Sequence, residues 1–254
     1  MRVVKTIKAD TIAPVSAYLR LKSEHSFFLE SMPNDKNTAR YSIIALDPAT
    51  DFKATGHTVT INEESQEVVD PLALLNDLVV DIPGNQYDDD YLPFQGGAIG
   101  YVGFDAISLY ENIGEQPTDD LGMPDIHMYL YETFIIFDHQ TEELKVILDN
   151  NYTGRSEKKM TEILDQIEDN LQRAVSEEFA PVSVTPIEPT LNYTKDEFMD
   201  KVEHAKKLIT AGDMFQIVIS QRFEFGFEDN PFDFYRLLRA SNPSPYMYYL
   251  DFGD

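Results

Sequence analysis

The feature of the sequence that most limits the fold is the irregular order of its helix and strand patterns. Apolar residues at helical spacing and apolar residues in extended segments follow one another without a repeat at any fixed period. A solenoid, a propeller and a regular series of βαβ units all require such a repeat, so these classes are disfavoured. The pattern therefore predicts an α+β fold, with largely antiparallel sheets and covering helices.

Five segments have the periodicity or the end signals of helices. The strongest is residues 156–175, where apolar side chains recur at helical spacing between acidic and amide residues. Thr194 and Glu197 have the spacing of a capping box, and Gly212 is a suitable end for the helix that they begin. Three more helices are predicted to start at Pro14, Pro71 and Pro231.

Several extended segments are predicted from their β-branched and aromatic content. They are residues 26–29, 41–45, 57–61, 97–102, 127–137, 144–148, 214–222 and 246–252. The glycine-rich residues 96–103 match neither a dinucleotide fingerprint nor a P-loop. We interpret them as a strand in which two backbones approach closely.

One stretch has the composition of a linker. Residues 176–189 are acidic and contain Pro181, Pro186 and Pro189, which disfavour regular structure. We therefore predict one domain over residues 1–180 and the beginning of a second over residues 190–254.

Composition excludes several classes of site. The chain has no cysteine, so it has no disulfide, no thiolate nucleophile and no zinc site built on sulfur. Its five histidines lack the spacing of metal ligands, so we expect no metal site within the sequence. No apolar run follows the N-terminus as in a signal peptide or approaches the roughly 18 residues of a membrane span. A cytoplasmic protein without membrane contact is expected.

The charge of the chain limits its partners. The formal net charge is -25, and lysine and arginine are sparse, which disfavours binding of nucleic acid phosphates. A small anionic substrate remains compatible, because a few arginines or a helix N-terminus can form a local positive pocket.

Six blocks carry a more specific signal. They are, in order, residues 27–31, 39–45, 96–105, 123–125, 211–222 and 242–247. In content and order these blocks resemble the large subunits of anthranilate synthase, in the chorismate-utilising enzyme family. The resemblance implies the fold shared by anthranilate synthases and aminodeoxychorismate synthases, truncated to its first part. It also implies that residues 1–180 are the N-terminal regulatory domain and residues 190–254 the start of the chorismate-binding catalytic domain.

The resemblance implies an activity for the whole enzyme. Such enzymes convert chorismate and ammonia into anthranilate and pyruvate with Mg2+, while a separate glutamine amidotransferase subunit supplies the ammonia. The Mg2+ ligands and the acid and base residues are expected after residue 254, so the isolated chain is expected to be inactive. Gln216 matches a pocket-lining catalytic position, where an amide can contact ammonia but cannot act as a base. The alternative for Gln216 is an ordinary strand residue.

The resemblance also implies a site for the feedback inhibitor L-tryptophan. Glu30 would accept from its ammonium group, Ser31 would bond to its amino or carboxylate group, and Arg40 is either a carboxylate partner or a surface charge. The second segment of the site would be Pro245, Tyr246 and Met247, which would line the indole.

Two other functions stay open. The large subunit of aminodeoxychorismate synthase shares much of the block around Gln216, although residues 242–247 favour anthranilate synthase. A function of another class is an amino-acid-binding regulatory module without catalysis.

Overall fold

The computed structural model describes residues 1–31, 40–80, 92–115, 118–175 and 188–253. Contacts divide the chain into two compact units, of which the first comprises Met1–Glu178 and Leu238–Asp254 and the second Phe179–Leu237. Most of the predicted linker lies outside the described residues. The functional division at residues 180 and 190 stays a prediction.

A six-stranded antiparallel sheet forms the centre of the first unit. Its strands in spatial order are β1 (Arg2–Lys8), β10 (Glu143–Asp149), β9 (Thr133–Asp138), β3 (Tyr41–Ala45), β2 (Phe27–Ser31) and β13 (Tyr246–Leu250). The last strand comes from the end of the sequence and pairs with β2, so the first unit contains segments from both ends of the chain.

A five-stranded antiparallel sheet lies beside it. Its strands in spatial order are β6 (Glu64–Glu67), β5 (Thr58–Ile61), β4 (Thr50–Thr55), β8 (Ile126–Tyr131) and β7 (Gly97–Val102). The glycine-rich segment forms β7, as predicted. A Cβ atom on Gly100 would lie 2.0 Å from the carbonyl oxygen of His127, so only glycine permits the observed approach of the two strands.

The single strand expected over residues 127–137 is wrong. The structure contains two strands, β8 and β9, which lie in different sheets and are separated at Glu132. Nearly every residue in both strands is buried, so the apolar run continues through the change of sheet. A pattern of hydrophobicity cannot reveal such a break when both halves are covered on both faces.

Two α-helices of the first unit begin at the predicted prolines, and the third begins one residue after its predicted start at Ser156. They are α1 (Pro14–Leu21), α2 (Pro71–Leu78) and α3 (Glu157–Gln172), with a 3-10 helix over Phe104–Leu109. The side chain of Asp70 accepts a hydrogen bond from the Ala73 N–H at 3.0 Å, and Ser156 caps α3 in the same way. These contacts satisfy backbone donors that a helix start would otherwise leave without partners.

Four layers result in the first unit. On one face of the six-stranded sheet, Tyr18 of α1 stacks on Phe28, with ring centroids 5.4 Å apart. On the opposite face, Phe27 meets Tyr129 and Tyr131 of the five-stranded sheet at 5.7 and 5.5 Å. The outer face of the five-stranded sheet packs against α2 and the 3-10 helix. Each buried aromatic side chain stabilises this arrangement by about 2–3 kcal/mol.

The second unit contains α4 (Lys195–Ala211), the short pair β11 (Thr190–Leu191) and β12 (Phe223–Glu224), and the start of α5 (Pro231–Ser241). The predicted capping box is present, since the Glu197 N–H donates to Thr194 Oγ1 and the Thr194 N–H donates to the Glu197 carboxylate. Gly212 ends α4 with φ of 86°, a left-handed conformation that favours glycine.

The strand predicted over residues 214–222 is absent from the structure. This segment pairs with no strand of the described residues, and Phe215 and Val218 are exposed. A strand exists only when a neighbouring backbone receives its hydrogen bonds, and propensity alone does not supply that neighbour.

A buried ion pair connects the two sheets of the first unit. Arg2 of β1 donates to both carboxylate oxygens of Asp149 at 3.0 and 2.8 Å. It also donates to the backbone oxygen of Gln95 at 2.7 Å, just before β7. The Asp149 carboxylate is almost fully buried, so Arg2 is needed to compensate its charge.

We predict that Arg2→Ala lowers the free energy of unfolding by about 3 kcal/mol, because it leaves a buried carboxylate without its cation. Urea unfolding followed by circular dichroism measures this change. The control is Lys8→Ala, which removes an exposed ion pair with Glu143 and should leave the midpoint unchanged. Equal midpoints for Arg2→Ala and the parent chain would contradict the prediction.

Candidate functional site

The pairing of β2 with β13 brings the two predicted inhibitor-binding segments together. Tyr246 lies opposite Ser31, and Met247 lies opposite Glu30. Pro245 directly precedes β13. The predicted residues from the two ends of the sequence therefore share one edge of the six-stranded sheet.

These residues are distributed over both faces of the sheet. Successive side chains of a strand point to opposite faces, so Glu30 and Met247 share one face and Ser31 and Tyr246 the other. The face of Glu30 is the one that α1 covers, and Glu30 is only 4% exposed. The other face is directed toward the five-stranded sheet, and Tyr246 there is 75% exposed. A ligand can reach Ser31 and Tyr246 directly, whereas Glu30 is enclosed.

Glu30 is bound by a cation that the sequence did not indicate. Nε of Arg239, near the end of α5, donates to one carboxylate oxygen of Glu30 at 2.6 Å, and Nη2 donates to the other at 2.9 Å. The two residues are 209 positions apart in the sequence. The only signal for Arg239 was a basic residue in the last turn of a helix, which is common to many helices.

Two polar residues lie near the ion pair. Ser42 of β3 is opposite Glu30, and its Oγ lies 2.9 Å from Nε2 of His139. Burial lowers the pKa of His139, and the nearby charges of Glu30 and Asp138 only partly offset this effect. The imidazole is therefore neutral at neutral pH, so it adds no positive charge beside Arg239.

Arg40 binds a carboxylate of the protein itself. Its Nε and Nη2 donate to an oxygen of Asp138 at 3.1 and 2.7 Å, and its guanidinium lies 4.8 Å from the ring centre of Tyr41. Burial raises the pKa of Asp138, but hydrogen bonds from Arg40 and from the Gln140 N–H outweigh it and hold the pKa below its usual range. Arg40 could bind a ligand carboxylate only by sharing or leaving Asp138.

Gln216 lies in the second unit, within the irregular residues 214–222. Its side chain is exposed. A groove of about 700 Å3 runs between α4 and residues 217–220 of the same unit. Gln216 is not one of the residues that line this groove, so the structure gives it no enclosed site.

No metal site is formed by the described parts of the chain. Within these ranges no three histidine, aspartate or glutamate side chains are arranged to hold an ion. The carboxylates that the structure describes therefore do not fit Mg2+, which requires several oxygen ligands around one point. In the same ranges, no helix is long and apolar enough to cross a bilayer.

Comparison with known proteins defines the class to which this structure corresponds. A family profile described as chorismate binding enzyme matches residues 24–254, and the chain belongs to this family. The family expected from the sequence blocks is thereby confirmed.

Within that family the chain is similar to proteins named anthranilate synthase component 1. It is 41% identical over 254 residues to the one from Lactococcus lactis subsp. lactis (strain IL1403), covering 100% of this chain and 56% of the relative. It is 34% identical over 267 residues to the one from Acetivibrio thermocellus, covering 99% and 53%. The chain thus spans about half the length of the curated relatives it matches.

A solved structure supports the same assignment. The crystal structure of anthranilate synthase component I from Streptococcus pneumoniae TIGR4 is 39% identical and superposes with a TM-score of 0.77. The match covers 98% of this chain and 55% of that protein. The predicted α+β fold with antiparallel sheets is confirmed.

We predict that Glu30 and Arg239 stabilise the first unit as a coupled pair. Arg239→Gln should lower the free energy of unfolding by about 2–4 kcal/mol, because it leaves the buried Glu30 carboxylate without its cation. Glu30→Gln should lower it less, because the Arg239 side chain is 34% exposed. The double variant should lose at least about 1 kcal/mol less than the sum of the two single changes. Urea unfolding of the four proteins measures the coupling.

The control is the same set of single and double substitutions at the exposed ion pair between Arg222 and Glu224. Its coupling should stay below about 0.5 kcal/mol, since water screens both charges. Additive effects of the Glu30 and Arg239 substitutions would show that the bond between them is not a stabilising interaction.

Proposed function

We propose that this chain forms the first part of the large subunit of an anthranilate synthase. A protein of the relatives' length would convert chorismate and ammonia into anthranilate and pyruvate. The likeness extends over the whole chain and supports this proposal. The observation that carries it is the pairing of β2 with β13, which joins the two blocks that resemble the inhibitor site of that family.

The edge formed by β2 and β13 is, in this proposal, a site for L-tryptophan as feedback inhibitor. Ser31 offers a hydroxyl group that can donate or accept, and the exposed ring of Tyr246 offers an apolar surface for an indole. Both lie on the face directed toward the five-stranded sheet. The indole would therefore enter at the end of the space between the two sheets.

Glu30 acts differently from Ser31 in this proposal. Both of its carboxylate oxygens accept from Arg239, and it lies on the opposite face of the sheet. Its role is to fix β2 against α5, while a ligand ammonium group would bind it only by sharing the carboxylate with Arg239. A ligand that prefers one placement of β13 would shift the protein toward that placement.

The remaining elements of the proposed activity rest on the resemblance alone. Mg2+ and a glutamine amidotransferase subunit belong to the proposed complete enzyme, and no described residue is assigned to either. Gln216 would line the ammonia path, because its neutral amide can hydrogen-bond ammonia without removing a proton. The 254-residue chain by itself is expected to leave chorismate unconverted.

The decisive experiment is a titration with L-tryptophan, with L-phenylalanine as the control ligand. The chain contains no tryptophan, so the fluorescence of the L-tryptophan ligand reports its binding without any tryptophan fluorescence from the protein. We expect saturable binding of L-tryptophan and a clear preference over L-phenylalanine, because the indole N–H and the larger ring add contacts. Absence of binding would overturn the assignment of this edge as the inhibitor site of the chain.

The residue that tests the location is Ser31. Ser31→Phe places a ring where the ligand must enter, so the affinity for L-tryptophan should fall about tenfold or more. The control Ser65→Phe makes the same change on the exposed strand β6 and should bind normally. Binding that tolerates Ser31→Phe would place the ligand elsewhere.

A further inference from the structure

The positive charges of this protein are absent from one long part of its sequence. Between Lys53 and Lys145 there is no lysine or arginine, while aspartate and glutamate occur at nineteen positions. This stretch therefore carries most of the chain's net charge of -25. Its described residues contain four strands of the five-stranded sheet, α2 and the 3-10 helix, and also β9 and the start of β10 in the six-stranded sheet. One lobe of the first unit, formed by β5 to β8, α2 and the 3-10 helix with their described connections, therefore carries carboxylates and no lysine or arginine.

The same lobe exposes large apolar side chains beside its carboxylates. Phe104 is 90% exposed, Leu121 69% and Met123 57%. They line a depression of about 480 Å3 together with Asp105 and Asp120. We call these five residues the acidic apolar patch.

Hydrogen bonds within the chain shape the depression. The Asp119 carboxylate accepts from the backbone N–H groups of Leu121 and Gly122 at 3.0 and 2.9 Å. The hydroxyl of Tyr101 donates to the carbonyl oxygen of Pro124 at 3.1 Å, and the Gly103 N–H donates to the Asp125 carbonyl at 2.7 Å. These bonds connect the segments that carry the apolar residues of the patch.

The charge of the patch selects among possible occupants. Chorismate, amino acid carboxylates, nucleic acid phosphates and anionic lipid headgroups all carry negative charge and are repelled. A second copy of this chain would bring the same negative lobe to the contact, which disfavours self-association through this face. A surface that can cover it must combine an apolar centre with positive charges at its rim.

We propose that the acidic apolar patch is the docking surface for a separate protein that presents apolar side chains flanked by lysine and arginine. Covering Phe104, Leu121 and Met123 removes exposed apolar surface from water, which favours association. Asp105 and Asp120 steer the partner and reject anionic competitors. The inference is independent of the chorismate chemistry proposed above.

The probe for this surface is a labelled amphipathic helical peptide of about five turns, with leucine on one face and lysine and arginine on the other. Its counterpart with glutamate in place of every basic residue tests the role of charge. Fluorescence anisotropy with the 254-residue chain measures both affinities. We expect the basic peptide to bind, more weakly at about 300 mM than at about 50 mM salt, and the acidic peptide to be rejected.

Substitutions test whether the basic peptide binds at the patch or is attracted only by the overall negative charge of the protein. The triple variant Phe104→Ser, Leu121→Ser, Met123→Ser should weaken binding about tenfold or more, and Asp105→Asn with Asp120→Asn should weaken it and reduce its salt dependence. Because the apolar residues are exposed, their replacement leaves the thermal unfolding midpoint unchanged.

Matched controls lie elsewhere on the chain. Val69→Ser with Met199→Ser removes exposed apolar side chains, and Glu63→Gln with Glu64→Gln removes exposed charges of the same lobe. Both control variants should bind the basic peptide as the parent chain does. The proposal is overturned if the patch variants retain full affinity, if the controls lose as much affinity, or if the acidic peptide binds equally well.

Discussion

The antiparallel pairing of β2 with β13 is the constraint that brings the two ends of the sequence together in the first unit. It closes a loop that contains most of the sequence, and such closure has a substantial entropic cost. The ion pair between the buried Glu30 and the half-buried Arg239 lies beside this pairing and joins the same two parts of the chain. Backbone hydrogen bonds and an ion pair thus act together where local sequence provides no connection.

The same pairing explains why some residues of the candidate inhibitor site are enclosed while others are accessible. Adjacent positions in β2 must point to opposite faces of the sheet, so Glu30 and Ser31 cannot share one environment. Glu30 is enclosed with Arg239 under the helical layer, while Ser31 and Tyr246 face the space next to the second sheet. A ligand at this edge would touch one face and depend on the other for the position of the strands.

The two sheets differ in their electrostatics as well as in their position. The six-stranded sheet contains buried or half-buried pairs in which arginine compensates a carboxylate, as at Arg2 with Asp149. The lobe formed by β5 to β8, α2 and the 3-10 helix has no lysine or arginine among its described residues, and its Asp105 and Asp120 line a depression beside exposed apolar side chains. One part of the unit therefore compensates its enclosed carboxylates with its own arginines, whereas the other has no lysine or arginine beside the carboxylates of the patch.

The sequence by itself determined the family, the α+β class and the helix starts, because capping and helical periodicity are local properties. Thr194 with Glu197 and the proline at the start of α2 formed helix ends as predicted. Tertiary structure alone decided the change of sheet at Glu132, the lack of a strand over residues 214–222, and the bond from Arg239 to Glu30. Each of these depends on which distant backbone or charge lies alongside, and a linear pattern does not contain that information.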